Sequence, residues 1–338
     1  MSMVQPPVPL SSPPAAGSAA WEPVDDAYRS LLAGHEGEDR WLLVQTLLTG
    51  APRRALFGML GVPHGGRMLD VGTGFGPLAL ELAGATGGTA IGVDVDIARL
   101  RQAVALRNTL RARGWIRPWA APAPAASGHE HTAPSGTPAG APSTPPGTHA
   151  TATAGDASFA ASDATALPFA DKTFDAATIR FVLQYFSDPE VTLAEMARVV
   201  RPGGAVCVID VDDGLSIVHP DPPGPLARLR AAFSALQSMR GGDRTVGRKV
   251  PGLLDQAGFT VTAVLVMPHA AYGPSSPTDI DRTFLFDRFS QAADDIVARG
   301  LLSEADVRAG LQVLSTEEIP PRTSIEGHLA VIGRRRPT

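Results

Sequence analysis

The stretch RMLDVGTGFG, residues 67–76, decides the fold of this 338-residue chain. Residues 67–71 predict a buried strand, and the glycines that follow let the backbone turn sharply and approach a ligand closely. Pro77 suits the first position of a helix, whose N-terminus would present unpaired N–H groups beside the turn. The stretch therefore predicts a strand, a ligand-binding turn and a helix in succession.

An acid at the end of the next strand narrows the choice of ligand. Residues 89–94 predict a second strand that ends at Asp94, where a carboxylate can accept both hydroxyls of a ribose. A dinucleotide-binding turn has the spacing Gly-x-Gly-x-x-Gly after an apolar strand end, whereas here Asp70 precedes Gly-x-Gly-x-Gly. An acid repels a pyrophosphate and suits a ligand that carries an ammonium and a sulfonium group. An NAD-linked oxidoreductase is therefore disfavoured.

The rest of the chain alternates short apolar runs with amphipathic ones, which predicts a parallel sheet covered by helices. Asp96 is expected to cap one of the helices, and Gly84 is expected to end another. The further predicted strands are residues 159–163, 174–180, 205–210, 259–266 and 328–333, and the predicted helices are residues 77–83, 97–113 and about 189–200.

Composition excludes several classes of protein. The net charge of −5 gives no field that would attract nucleic acid or anionic lipid. The single cysteine, Cys207, excludes an internal disulfide framework and a cysteine-rich zinc site, and it is expected to be buried in its strand. The sequence contains no run of eighteen apolar residues, so no membrane-spanning helix is expected. We therefore expect a cytoplasmic protein that neither inserts into a membrane nor binds nucleic acid.

Two segments are too poor in large apolar residues to fold. Residues 1–20 are rich in Pro, Ala and Ser, and residues 117–158 contain no Leu, Ile or Val and no Phe. Such segments bury too little apolar surface to offset the cost of ordering them, so we expect a disordered tail and a disordered insert. The insert contains His129 and His131, but histidines on such a tract are more often solvated, and no metal site is predicted.

Several motifs together resemble one enzyme family. Residues 70–76 match its glycine-rich motif, Asp94 its ribose-binding acid, and residues 161–169 the segment that contacts adenine. Further matches are residues 174–185, 201–204 and 247–259, and the helix that carries Glu38, Arg40 and Gln45 ahead of the first strand. The chain resembles the class I S-adenosylmethionine (SAM) dependent methyltransferases of the small-molecule branch. Within that branch it is similar to the enzymes of ubiquinone and menaquinone biosynthesis and of natural-product (secondary) metabolism.

The resemblance implies a fold for the whole chain. It implies an α/β domain over residues 21–338 with a Rossmann-like seven-stranded sheet, in the order 3-2-1-4-5-7-6 with strand 7 antiparallel and helices on both faces. Helical segments at about 214–250 and 280–315 have apolar stripes. We expect them to form a lid in part, with Phe284, Phe286 and Phe289 beside an apolar substrate pocket.

The resemblance also implies which residues bind SAM and where the acceptor lies. The implied cofactor-binding residues are Asp70, Gly72, Thr73, Gly74, Gly76, Asp94, Val95, Asp163, Ala164, Arg180, Arg40 and Gln45. Tyr185 and His219 are the catalytic candidates, although packing explains Tyr185 equally well and a lone loop histidine is more often solvated. Asp163 could instead cap its own loop, and the neighbouring acids Asp210 and Asp212–Asp213 could serve the ligand or cap a helix.

The implied function is methyl transfer to a small, apolar or aromatic metabolite by in-line displacement. The fourth strand ends Thr178-Ile179-Arg180 and not in Asn/Asp-Pro-Pro-aromatic, so methylation of nucleic acids or of glutamine is disfavoured. The alternative is a SAM-binding regulatory or scaffolding protein without methyl transfer. The sequence leaves open the acceptor, the atom that takes the methyl group, the use of a general base and the formation of a homodimer.

Overall fold

A computed structural model describes residues 19–35, 37, 39–117, 155–276, 279–316 and 319–337. Most of the expected tail and of the expected insert, residues 1–18 and 118–154, lies outside the described residues. None of the helices in the described ranges has the length and apolar character needed to cross a membrane.

The described residues form one mixed sheet of eight strands. The strands are β1 (Arg67–Val71), β2 (Thr89–Asp94), β3 (Asp156–Ala161), β4 (Phe174–Arg180), β5 (Val200–Val211), β6 (Ile217–His219), β7 (Phe259–Ser275) and β8 (Ile319–Arg335). Their order is β3-β2-β1-β4-β5-β8, with β7 on the other side of β8. The first five strands are parallel, and β8 runs antiparallel to both β5 and β7.

The long strands follow the predicted order, and the predicted antiparallel last strand is confirmed. The three-residue β6 was not predicted; it pairs with residues 323–325 of β8, beyond the part of β8 that pairs with β5. The helices are α1 (Glu22–Ala33), α2 (Arg40–Leu48), α3 (Gly50–Ala55), α4 (Phe57–Leu60), α5 (Pro77–Thr86), α6 (Ile97–Ala112), α7 (Pro189–Val199), α8 (Gly224–Met239), α9 (Val250–Gln256), α10 (Ile280–Ala298) and α11 (Glu304–Thr316).

Some predicted boundaries are wrong for identifiable reasons. Helix α5 continues through Gly84 and ends at Gly87, which has a φ of 65°. A glycine stands at position 84 for a different reason: a Cβ there would collide with the ring of Trp115. Strand β3 begins at Asp156, inside the predicted insert, because its first residue pairs with Thr89 of β2. Strands β7 and β8 are longer than predicted because they pair with each other over most of their length.

Apolar clusters cover both faces of the sheet and a third cluster lies among helices. Helices α1, α4, α5 and α6 pack on one face, and α7 and α9 pack on the other. The predicted helices on both faces are therefore confirmed, and Cys207 is buried in the first of these clusters. The third cluster joins α2, α8, α10 and α11. Three of these helices supply walls of the cavity described below.

Candidate cofactor and acceptor site

The turn after β1 is organised by a buried carboxylate. Asp70 accepts hydrogen bonds from the hydroxyls of Thr73 (2.6 Å) and Thr178 (2.9 Å), and it is almost fully buried. Burial raises the pKa of Asp70 to about 6, although both hydroxyl donors oppose the rise. Asp70 does not line the cavity. Its two hydrogen bonds hold the turn in shape, and its contact with the cofactor stays a prediction.

The three glycines of the turn all have positive φ, but for different purposes. Gly72 (66°) lies so close to Val182 that a Cβ would overlap this side chain. Gly74 (56°) faces open space, with no atom within 4 Å of a Cβ built there. Gly76 (80°) precedes α5 and packs against Phe159. Gly72 and Gly74, together with Thr73, line the cavity and Gly76 does not.

Asp94 connects the turn to the end of β2. Its carboxylate accepts from the backbone N–H of Gly74 (2.8 Å) and from that of Asp96 (3.0 Å). Each carboxylate oxygen has a second lone pair, so Asp94 can still accept two hydroxyl donors from the cavity that it lines together with Val95. This arrangement fits the ribose-binding role that the sequence predicts.

The loop after β3 brings Asp163 and Ala164 to the same cavity. One carboxylate oxygen of Asp163 accepts from both the backbone N–H (2.8 Å) and the hydroxyl (2.7 Å) of Thr165. These bonds lower the pKa of Asp163. The other oxygen has no hydrogen bond within the described residues, so loop capping and ligand contact are compatible.

Arg180, at the end of β4, is a cavity-lining cation without an ion pair in the described ranges. Its guanidinium donates to the hydroxyls of Thr49 (3.1 Å) and Thr46 (3.4 Å). Burial, and then the positive charge of Arg53, lowers the pKa of Arg180 to about 9, so it remains protonated at neutral pH. An unpaired guanidinium at this place fits a carboxylate ligand.

The two predicted residues of α2 have different surroundings. Gln45 is buried and lines the cavity. Arg40 does not line it, because its guanidinium forms an ion pair with Asp287 of α10 at 2.9 Å. The structure therefore gives Arg40 a contact between helices, and its contact with the cofactor stays a prediction.

The two catalytic candidates lie apart. Tyr185 follows β4, is about half exposed (46%) and lines the cavity. His219 lies on β6 opposite Thr323, is exposed, and does not line the cavity. Of the two candidates, the structure brings Tyr185 alone to the cavity that several predicted cofactor-binding residues line.

The cavity has a volume of about 780 Å³ and three helices complete its wall. Helix α8 and the residue after it contribute Phe233, Leu236, Gln237 and Arg240, α10 contributes Arg288, Gln291, Ala292 and Asp295, and α2 contributes Trp41, Leu42, Gln45 and Thr46. In α8 and α10 these positions have the spacing i, i+3, i+4, i+7, which is one face of a helix. The spacing is visible in the sequence, but sequence reasoning missed these residues because it followed the apolar stripe.

None of the three phenylalanines of α10 lines the large cavity, contrary to the expectation that they lie together beside the substrate pocket. Phe289 packs against Phe233 (5.3 Å between ring centroids) behind the cavity wall. Phe284 packs against Trp41 and lines a separate cavity of about 150 Å³, and Phe286 packs against the helical cluster. The cavity-lining face of α10 begins only at Arg288, one turn beyond Phe284.

Comparison with known proteins agrees with this geometry. Residues 144–208 match the family model described as a methyltransferase domain. A demethylmenaquinone methyltransferase of Renibacterium salmoninarum is 54% identical over 55 residues, which are 16% of this chain and 23% of the relative. An uncharacterized 37.1 kDa protein of a Streptomyces fradiae transposon is 34% identical over 145 residues, which are 43% of this chain and 36% of that protein. The chain thus spans about a quarter to a third of these relatives.

The fold has a counterpart among solved structures. A crystal structure of a putative methyltransferase from Bacillus halodurans superposes with a TM-score of 0.50 at 14% identity, and the superposition covers 85% of this chain and all of that one. The expected resemblance to methyltransferases is confirmed in residues 144–208, which match the methyltransferase-domain model, and in the fold.

Proposed function

We propose that the chain is a methyltransferase that moves a methyl group from SAM to a small acceptor. The observation that carries this proposal is the extent of the cavity. It begins at the turn around Gly74 and Asp94, passes Arg180 and continues to the cavity-lining faces of α8 and α10. A cavity of about 780 Å³ lies in the upper part of the usual range for ligand sites, which supports a cofactor and a second molecule side by side.

The described side chains fit the chemical groups of SAM. Asp94 has free lone pairs for ribose hydroxyls, and Asp163 with Ala164 would receive the adenine. The Arg180 guanidinium, which has no carboxylate partner within the described ranges, would hold the carboxylate of the methionine part. When bound, SAM supplies an electrophilic methyl group on a sulfonium to a nucleophile that approaches in line.

The contribution of the protein is mainly to position the acceptor and to exclude water. The cavity lining contains no histidine in the described ranges, and Asp295 forms an ion pair with Arg240. Positioning of two reactants at about 3 Å is worth on the order of 7 to 11 kcal/mol in favourable cases. The ring of Tyr185, on the cavity wall, would present an electron-rich face to a cationic methyl group.

The alternative is a SAM-binding protein without methyl transfer. Side chains that fill the space beyond Arg180 would favour that alternative. The cavity instead continues from Arg180 to Phe233 and Arg288, and this continuity supports the enzyme.

The test uses S-adenosylhomocysteine, the demethylated cofactor, and a matched pair of glycine variants. Gly74 and Gly114 both have positive φ and open space around a built Cβ, but only Gly74 lines the cavity. By calorimetry, wild type and Gly114→Leu should bind the compound with one site per chain, and Gly74→Leu should lose most of the affinity. A wild type that does not bind contradicts the proposal. Labelled SAM and a small-molecule extract then test transfer, since binding without transfer to any fraction favours the alternative.

A further inference from the structure

Arg288 is a buried cation in the cavity wall that has no anionic partner. Its exposed fraction is 7%. Within the described ranges its guanidinium forms neither an ion pair nor a hydrogen bond; it lies over the rings of Phe233 (4.7 Å), Trp41 (5.2 Å) and Phe284 (5.7 Å). Aromatic rings offset part of the cost of burying a cation, but burial without a counter-charge remains unfavourable.

The other arginines of the cavity wall have partners or an assigned ligand group. Arg99 forms an ion pair with Asp39 at 2.9 Å, and Arg240 forms one with Asp295. Arg180 donates to two threonine hydroxyls and is assigned to the carboxylate of SAM. SAM has one carboxylate, and Arg180 is assigned to it. SAM therefore has no further anionic group that could pair with Arg288.

The surroundings of Arg288 define the shape of a partner. Trp41 and Phe233 provide flat apolar walls on α2 and α8. The side-chain oxygen of Gln237, one turn after Phe233, is buried without a hydrogen bond and belongs to a cavity-lining residue. This part of the cavity thus presents a positive charge, aromatic surfaces and an unused acceptor oxygen.

We propose that Arg288 binds a negative charge on the methyl acceptor, so that the acceptor is a small organic acid with an aromatic or conjugated body. The acid lies against Trp41 and Phe233, and its anionic group pairs with the guanidinium. A donor group on the acid can be received by the free oxygen of Gln237. This inference rests on the proposed function, which it deepens by naming the class of acceptor.

The experiment compares matched anionic and neutral probes. Benzoate is paired with benzamide, and 4-nitrophenolate with 4-nitroanisole, to distinguish a carboxylate from a phenolate. Binding of each probe is measured by calorimetry with and without saturating S-adenosylhomocysteine, for wild type, Arg288→Met, Arg288→Lys and Arg299→Met. Arg299 is an exposed arginine that follows the same helix, so its loss changes net charge equally without touching the cavity.

Wild type and Arg299→Met should bind at least one anion tenfold more tightly than its neutral partner. Arg288→Met should abolish that preference while its affinity for S-adenosylhomocysteine and its melting temperature are not lowered, and Arg288→Lys should restore part of it. The inference is overturned if wild type binds the anion and its neutral partner equally in both pairs. It is also overturned if the preference for the anion survives in Arg288→Met. If Arg288→Met does not fold, the neutral variant Arg288→Gln takes its place, and a preference that survives in that variant overturns the inference.

The two proposals fail in different ways. If wild type does not bind S-adenosylhomocysteine but binds the anions through Arg288, the proposed methyltransferase function fails and the anion site stands. If it binds S-adenosylhomocysteine without a preference for anions, only the present inference fails.

Discussion

Two groups of buried or partly buried arginines lie on different sides of the same turn. Below it, Arg53 and Arg54 surround Glu81, with the shortest donor–acceptor distances at 2.6 Å for Arg53 and 2.9 Å for Arg54. On the cavity side, Arg180 and Arg288 have no carboxylate within hydrogen-bond distance in the part of the chain that the structure describes. Arg53, Arg54 and Arg288 are buried and Arg180 is partly buried, and the two groups differ in their partners.

The difference distinguishes structural charges from ligand-binding charges. Burial alone would raise the pKa of Glu81, but the charges of Arg53 and Arg54 hold it below its usual value. Burial lowers the pKa of Arg180 to about 9 and that of Arg288 to about 10, because no ion pair opposes the loss of water. The network below the turn is therefore complete without a ligand, whereas the cations that face the cavity lack a partner that a ligand can supply.

The largest effect is expected where a complete network is broken. Glu81→Gln removes the charge that Arg53 and Arg54 share; it leaves the buried guanidinium of Arg53 without a counter-ion and that of Arg54 with Asp25 alone. We expect a loss of about 5 kcal/mol in the free energy of unfolding, at the upper end for a broken buried pair. Urea unfolding measures this loss. Glu304→Gln, which breaks an exposed pair with Arg308, is the control and should cost less than about 1 kcal/mol.

If Glu81→Gln and Glu304→Gln lowered the free energy of unfolding equally, the buried network below the turn would be no more important for stability than an exposed ion pair. A large loss for Glu81→Gln with an intact cavity would confirm that the network below the turn carries structure alone. Binding of S-adenosylhomocysteine to the folded fraction of this variant checks the second point.

Asp210 extends the comparison to a buried acid without an ion pair within the described residues. Burial raises its pKa to about 7, although the backbone N–H of Val211 donates to it at 2.8 Å. Because the folded pKa lies above the unfolded value of about 3.9, the folded protein binds the proton more tightly. The tighter binding of this proton adds at most roughly 4 kcal/mol to the free energy of unfolding. The addition is complete below about pH 4 and is lost as the pH rises to about 7.

The measurement is the free energy of unfolding across that range of pH for wild type and Asp210→Asn. The asparagine keeps an oxygen that can accept from Val211 but does not titrate. The wild-type value should therefore fall more steeply with rising pH than that of the variant. Parallel curves would mean that Asp210 is ionised in the folded state throughout.

The turn after β1 could be predicted because local chemistry determines it, whereas the strand order was predicted from the family resemblance. Asp70, Gly74 and Asp94 lie within two adjacent strand ends, and sequence spacing fixes how such ends meet. The cavity-facing side of α10 could not be predicted from its apolar residues, because packing on α2 and α8 sets the rotation of the helix. Gly84 was misread for a similar reason, since its partner Trp115 lies on a later segment.

Arg180→Met tests the cavity side of the comparison. Loss of a charged hydrogen-bond partner should weaken binding of S-adenosylhomocysteine by about 1.5 to 3 kcal/mol, roughly ten- to a hundredfold. Stability should not fall, because the variant removes a buried cation that lacks an ion pair within the described ranges. Calorimetry and thermal unfolding measure the two effects. Arg201→Met, which removes an exposed arginine paired with Asp175, is the control and should leave the affinity unchanged.

The smallest predicted effect is the loss of affinity in Asp94→Asn. It tests whether the charge of Asp94 or the hydrogen bonds that it accepts bind the ligand. Asp94→Asn leaves one oxygen to accept, so the variant cannot hold both Gly74 and Asp96 and still receive two ribose hydroxyls. The affinity for S-adenosylhomocysteine should fall by about 1.5 kcal/mol. Asp96→Asn removes a negative charge two residues away, and asparagine caps a helix as well as aspartate does. If charge alone mattered, the two variants would lose similar affinity; a loss confined to Asp94→Asn assigns the effect to the hydrogen bonds that this carboxylate accepts.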